Sequence, residues 1–279
     1  MSRINNKVIW LTGASSGIGE ALAYELSKKG AMLILSARRK EELERVKGNC
    51  PSLAQPGIRV LPLDLEQPDT LQLSTEAAIQ IFGHIDMLIN NGGISQRSFV
   101  ADTSLAVYRR LMEVNYFGAI ALTKYLLPHF IQRKQGHFVN ISSLTGKFGT
   151  PYRSGYAASK HALHGFFDAV RAEHYNDNIK VTMICPGFIR TSLTFSALTA
   201  DGTPLNKMDE AQFKGKPADW CAQKIIASIE KNKEEVYIGG REVFGIYLKN
   251  LWRFLGYTSK GFFRGYFQKS FGKSLCGSC

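Results

Sequence analysis

The chain has 279 residues, a length for one domain or a small pair, and it affords an ordinary core without covalent staples. Its five cysteines (Cys50, Cys185, Cys221, Cys276, Cys279) are odd in number and lack framework spacing, which excludes a disulfide scaffold and points to a reducing compartment. Net charge is +12, and seven basic residues against one acid from Arg241 onward place half of that excess in the tail.

Only six residues precede the first apolar run at 7–11, too few for the charged and hydrophobic regions of a secretory signal. No run reaches the ~18 apolar residues of a spanning helix. The expectation is a soluble, cytoplasmic protein, with peripheral membrane contact open to the tail.

In chain order, strands are expected at 8–12, 32–37, 58–63, 86–90, 137–142, 180–185 and 235–238. Amphipathic helices are expected between them, at about 17–29, 39–48, 69–82, 104–134, 154–176 and 217–232. The strand runs show little polar alternation, as when helices cover both faces of a sheet. Strand and helix alternate throughout, which implies a single-domain α/β fold with a doubly wound parallel sheet over residues 1–240. Residues 190–215, rich in Ser, Thr, Gly and Asp, read as a loop over the crevice at the carboxyl ends of the strands.

The first strand runs into Thr12-Gly13-Ala14-Ser15-Ser16-Gly17-Ile18-Gly19 and then a helix. Glycines there let backbone approach a pyrophosphate, and a helix start offers free N–H groups and a favourable dipole. After the second strand, where NAD-binding folds carry an acid for the ribose, the sequence reads Ser36-Ala37-Arg38-Arg39-Lys40. Arg38 and Arg39 suit a 2′-phosphate, so NADP(H) is the expected cofactor; the alternative for Arg39 is a solvated helix start paired with nearby glutamates. Asp64-Leu65 ends strand three, where an Asp is also an ordinary turn or cap residue. Asn90-Asn91-Gly92-Gly93 ends strand four, and Pro186-Gly187-Phe188-Ile189-Arg190-Thr191 ends strand six.

Tyr156 and Lys160 stand four residues apart, hence on one helix face. The spacing alone carries nothing, because Tyr24 and Lys28 share it inside the first helix. Tyr156 differs by opening a helix thirteen residues after Ser143, at the end of strand five. A phenol titrates near 10, and an adjacent cation lowers that value toward the range where proton transfer works.

In this order the motifs resemble the short-chain dehydrogenase/reductase family, a Rossmann-type fold. The resemblance implies Tyr156 as general acid/base and Ser143 as donor to the substrate oxygen, with Ser142 the alternative donor. It implies Lys160 as the cation beside Tyr156, and Asn115 as holder of a water linking Lys160 to solvent. Gly13, Ser15, Ser16, Gly17, Ile18, Gly19, Arg38 and Arg39 are the implied cofactor contacts on the phosphate side. Asp64, Leu65, Asn90, Gly92, Lys160, Pro186, Gly187, Ile189 and Thr191 are implied along the adenine, ribose and nicotinamide. Gly92 departs from the family's alanine. The implied assembly is a homodimer through helices 104–134 and 154–176, or a homotetramer.

Phe188, Leu193, Phe195 and Leu198 suggest a hydrophobic carbonyl or alcohol substrate. The tail, 241–279, mixes ten aromatics with its cations, a composition for a membrane interface, a pocket wall or a dimer contact. No nucleic-acid module accompanies the charge, so no such partner is expected. No metal is expected either, since Cys276 and Cys279 lack a second ligand pair. A cofactor-binding sensor without turnover, or a membrane-peripheral interaction protein using the tail, is the rival function; a sensor has no need of all four residues Ser143, Tyr156, Lys160 and Asn115.

Overall fold

All five residues of β1 (Val8–Thr12) are buried. Ile9 and Leu11 join one hydrophobic cluster while Val8 and Trp10 join another on the opposite face of the sheet. This two-sided burial is why the strand sequences carry no alternation. The computed structural model describes residues 4–247. The remaining strands are β2 (Met32–Ser36), β3 (Ile58–Val60), β4 (Met87–Asn90), β5 (Gly136–Ile141), β6 (Ile179–Pro186) and β7 (Glu235–Ile238). They pair in parallel in the order β3-β2-β1-β4-β5-β6-β7.

Helices α1 (Gly17–Lys28) and α2 (Lys40–Gly48) cover one face, and α3 (Pro68–Phe82) covers the other. Later in the chain come α4 (Leu105–Met112), α5 (Gly118–Arg133), α6 (Ser154–Glu173), the short α7 (Glu210–Phe213) and α8 (Ala218–Glu230). α8 packs on α1, and α5 and α6 add Leu126, Phe130 and Phe167 to the face of α3. The strand order reverses between β1 and β4, which opens a crevice beyond their carboxyl ends.

The single helix expected over 104–134 is interrupted. Between α4 and α5 the chain makes a π turn, Glu113–Phe117, with neither Gly nor Pro inside it to announce the break. Such turns are rare and concentrate at functional sites. This one carries Asn115 inward, where it is buried.

The loop at 190–215 is held down by backbone bonding. Leu198 N donates to Ser95 O and Arg97 N donates to Leu198 O, both at 2.8 Å, and Ser104 N donates to Ala200 O at 3.0 Å. Packing continues beyond residue 240: Ile246 is buried with Leu144, Phe148 and Cys185. The Glu242 carboxylate accepts from Phe188 N at 3.1 Å and Gly240 N at 2.9 Å. The rest of the basic aromatic tail, with Cys276 and Cys279, lies outside the described residues. Among the described residues no helix is long and apolar enough to cross a membrane, and no cluster of His, Cys, Asp or Glu is arranged for a metal. Cys50, Cys185 and Cys221 are free and buried.

Candidate active site

The strand ends open on a crevice of about 950 Å³. On one side, Ser16 caps α1 with extended backbone and makes no side-chain capping bond, so the first N–H groups of the helix keep their capacity for an anion. Gly13, Ser15, Ser16, Gly17 and Ile18 line this end. Gly13 holds φ +63°, and a Cβ there would stand 2.7 Å from the Gly92 Cα. The cradle can therefore be built only with glycine. Gly19 does not reach the crevice: it is buried behind the turn, where a Cβ would overlap the Gly13 carbonyl oxygen.

Arg38 and Arg39 stand exposed at the mouth just past β2, and neither makes an ion pair among the described residues. Two nearby acids are committed elsewhere: Glu20 and Glu42 both pair with Arg45, at 2.7 and 2.9 Å. Asp64 and Leu65 line the next stretch, with Asp64 Oδ1 accepting from Glu66 N at 3.1 Å in a local turn. Gly92 makes room for Leu65, whose Cδ1 would lie 2.6 Å from an added Cβ.

Asn90 needs correction. Its side chain points into the fold, where Nδ2 donates to Asn140 Oδ1 at 2.9 Å and to Thr123 Oγ1 at 3.3 Å, and it does not line the crevice. Asn91 lines it instead, with Nδ2 donating to Thr12 O and Gly13 O at 3.0 and 3.1 Å. Pro186, Gly187, Ile189 and Thr191 line the far end. Thr191 flanks the start of α1, with its Cγ2 3.1 Å from a Cβ built on Gly17.

α6 brings Tyr156 and Lys160 to the same crevice. Lys160 Nζ donates to Ile141 O at 2.8 Å and lies 5.8 Å from the centre of the Tyr156 ring. Burial lowers this lysine to about 8. Burial also pushes the Tyr156 phenol above its ordinary value, while a hydrogen bond with Ser143 and the charges of Arg153 and Arg97 pull it the other way. The Ser143 hydroxyl is fixed by Thr145, which donates to it from N at 3.2 Å and from Oγ1 at 3.0 Å. Ser142 also lines the crevice, but its hydroxyl is engaged, donating to Lys160 O at 3.4 Å and pairing with His164 Nε2 at 3.0 Å.

Asn115 is held by its side chain. Its Oδ1 accepts from Ile94 N at 2.7 Å, and its Nδ2 donates to Ile94 O at 2.9 Å and Ser159 Oγ at 3.0 Å. With both amide hydrogens and an acceptor site so occupied, the side chain braces the β4 exit against α6, next to Lys160, and does not line the crevice. Tyr24 and Lys28 pair instead with Glu20 and Glu25, both at 2.7 Å.

Sequence reasoning missed Gln96. Fully buried, it accepts at Oε1 from Gly155 N at 2.8 Å and Tyr156 N at 3.4 Å, and so caps the helix that carries Tyr156. Its separation of about sixty residues from that helix left no local signal.

The short chain dehydrogenase family pattern matches residues 7–201. Dehydrogenase/reductase SDR family member 7 of Homo sapiens is 43% identical over 256 residues, covering 90% of this chain and 75% of that protein. Dehydrogenase/reductase SDR family protein 7-like of Anopheles gambiae is 45% identical, covering 84% of this chain and 75% of its own. Among solved structures, a short-chain dehydrogenase from Streptomyces avermitilis gives a TM-score of 0.78 at 26% identity, covering 90% of this chain and 95% of its own. A short chain dehydrogenase/reductase from Burkholderia phymatum, in complex with NAD, shares the fold at TM-score 0.80 and 21% identity, over 92% of this chain and 98% of its own. A family pattern across most of the sheet, and relatives above two-fifths identity over most of its length, make this chain a member of the short-chain dehydrogenase/reductase family of oxidoreductases.

Proposed function

We propose that this oxidoreductase interconverts a hydrophobic ketone or aldehyde and the corresponding alcohol with NADP(H), and that Tyr156 transfers the proton. One observation carries the reading: Tyr156, Ser143 and Lys160 line the same crevice as the glycine turn that opens α1. That turn would hold the pyrophosphate, and Arg38 and Arg39, without carboxylate partners among the described residues, favour a 2′-phosphate over a bare ribose. The nicotinamide, when bound, supplies or accepts hydride.

The remaining chemistry belongs to the side chains. Ser143 donates to the carbonyl oxygen as negative charge builds there. Burial keeps the Tyr156 phenol protonated, the state that delivers a proton to that oxygen. Lys160 is charged below about 8 and eases formation of the phenolate that the reverse direction requires. Phe188, Leu193, Phe195 and Leu198 supply apolar walls for the substrate. Phe117 and Tyr125, exposed on and beside α5, suit a homodimer through this region, which light scattering of the full chain tests.

Tyr156→Phe is expected to lower turnover of a reducible carbonyl by about 10²–10⁴-fold with cofactor affinity retained. Retained turnover overturns the mechanism. Tighter binding of NAD than of NADP overturns the cofactor assignment. Screening NADPH oxidation against steroids, retinal, quinones and medium-chain ketones identifies the carbonyl class.

A further inference from the structure

Arg97, beyond β4, and Arg153, at the N-cap of α6, converge on one carboxylate. Asp209 Oδ2, carried by the loop over the crevice, lies 3.4 Å from Arg97 Nε and 3.1 Å from Arg153 Nη2. Both arginine side chains are nearly buried, at 12% and 11% exposure, and both line the crevice beside Tyr156.

Their surroundings differ. Arg97 uses four of its five N–H donors: besides Nε on Asp209, Nη1 donates to Ser95 Oγ at 2.9 Å and Gln96 O at 2.7 Å, and Nη2 donates to Gln212 Oε1 at 3.4 Å. Arg153 makes one hydrogen bond among the described residues, to Asp209, and its guanidinium otherwise lies 5.7 Å from the Phe188 ring centre. Pinning the loop needs only one cation. The second brings an excess positive charge and, among the described residues, unused donors into the crevice, and an anion there would complete both. Burial and mutual repulsion lower the proton affinity of Arg97 to about 10, and burial lowers that of Arg153, yet both stay charged near neutrality. A guanidinium with free N–H groups matches a carboxylate in bidentate fashion.

We propose that Arg153, backed by Arg97, receives a carboxylate carried by the substrate, so that the substrate class is amphiphilic oxo acids and their hydroxy-acid counterparts. The carbonyl meets Tyr156 and Ser143, the carboxylate meets Arg153, and the apolar remainder lies against Phe188, Leu193 and Phe195. This refines the oxidoreductase reading above and rests on it.

The test begins with binding. The full chain, saturated with the oxidised nicotinamide cofactor it binds, is titrated calorimetrically with 4-phenylbutyrate and with its neutral amide. The carboxylate is expected to bind at least tenfold more tightly. Arg153→Met abolishes that preference while leaving amide affinity within about twofold. Asp209→Asn, which removes the competing carboxylate, tightens the acid and not the amide. Equal affinities in the native protein, or parallel weakening of acid and amide in either variant, overturn the proposal. Should Arg153→Met not fold, the native comparison and Asp209→Asn still decide. A turnover arm with 4-carboxybenzaldehyde and 4-methylbenzaldehyde separates the two readings. Turnover of both without preference for the acid keeps the oxidoreductase and removes the carboxylate receptor. Carboxylate binding without turnover of either does the reverse.

Discussion

Replacing Gln96 by Met, its nearest apolar match in shape, tests whether the catalytic helix is held from outside. The N-cap residue of α6, Arg153, makes no side-chain capping bond, so Gln96 Oε1 is the acceptor for Gly155 N at 2.8 Å. Loss of this acceptor leaves a buried N–H unpaired, which costs about 1–3 kcal/mol. The donor side adds little: Ser98 Oγ and Thr103 Oγ1, which accept from Gln96 Nε2, already bond each other at 2.7 Å. Unfolding in urea should therefore show a loss of about 2 kcal/mol. Tyr156 sits in the first turn of that helix, where a shift near 1 Å can cost about 10²-fold in rate. The expected result is a 10–100-fold (order-of-magnitude) fall in kcat with cofactor affinity nearly unchanged. A variant within about 0.5 kcal/mol of native stability and about twofold of native kcat refutes the assignment.

Two further outcomes follow from packing and titration. Burial lowers Lys160 from 10.5 to about 8, so between those values the unfolded chain binds a proton that the folded chain does not. Stability then rises with pH by about 1.4 kcal/mol per unit in that window, and the unfolding free energy of the native protein relative to Lys160→Met should grow by about 2–3 kcal/mol from pH 7 to 10. A pH-independent difference contradicts it. Gly92→Ala puts a Cβ 2.6 Å from Leu65 Cδ1, the end of a side chain that can turn aside, and should destabilise by about 1 kcal/mol, with Leu65→Val restoring much of the loss. Additive effects of the two substitutions count against this contact.

What the sequence revealed was local. The glycine turn, the Tyr156 and Lys160 pair and the strand ends each lie within a few residues of the element that positions them, so local context was enough to find them: for Tyr156 and Lys160 it was the helix opening after strand five, since Tyr24 and Lys28 share their spacing. Asn90 and Asn91 failed that test, because which of two adjacent amides faces the crevice depends on where β4 ends. Gly19 was assigned to the cofactor from the same motif, whereas its constraint comes from close packing on Gly13. The π turn at Asn115 replaces one long amphipathic helix without disturbing its pattern of apolar residues. Gln96 on the start of α6, Asp209 between two arginines and Glu242 on the Phe188 amide are pairings across about fifty to a hundred residues. Single-sequence periodicity has no purchase on such contacts, and they are the ones that aim the site.

Three buried cations surround one phenol, and their positions give them different work. Lys160 is anchored to the Ile141 carbonyl on the sheet side, while Arg97 and Arg153 act on Tyr156 alongside Ser143 and the apolar walls. Under the proposed mechanism, burial raises the phenol and favours the protonated donor of the reductive direction, while the charges of Arg153 and Arg97 oppose that rise and favour the phenolate of the oxidative one. A substrate carboxylate seated on Arg153 neutralises part of the arginine charge and so lifts the phenol further. On this proposal substrate charge and reaction direction are linked: an oxo acid arrives with the anion that keeps Tyr156 protonated, and with a neutral alcohol the cations favour the Tyr156 phenolate that accepts its proton. The pH at which oxidation reaches half its maximal rate should accordingly lie higher for a hydroxy acid than for a neutral alcohol of the same skeleton, and identical pH profiles for the two refute the link.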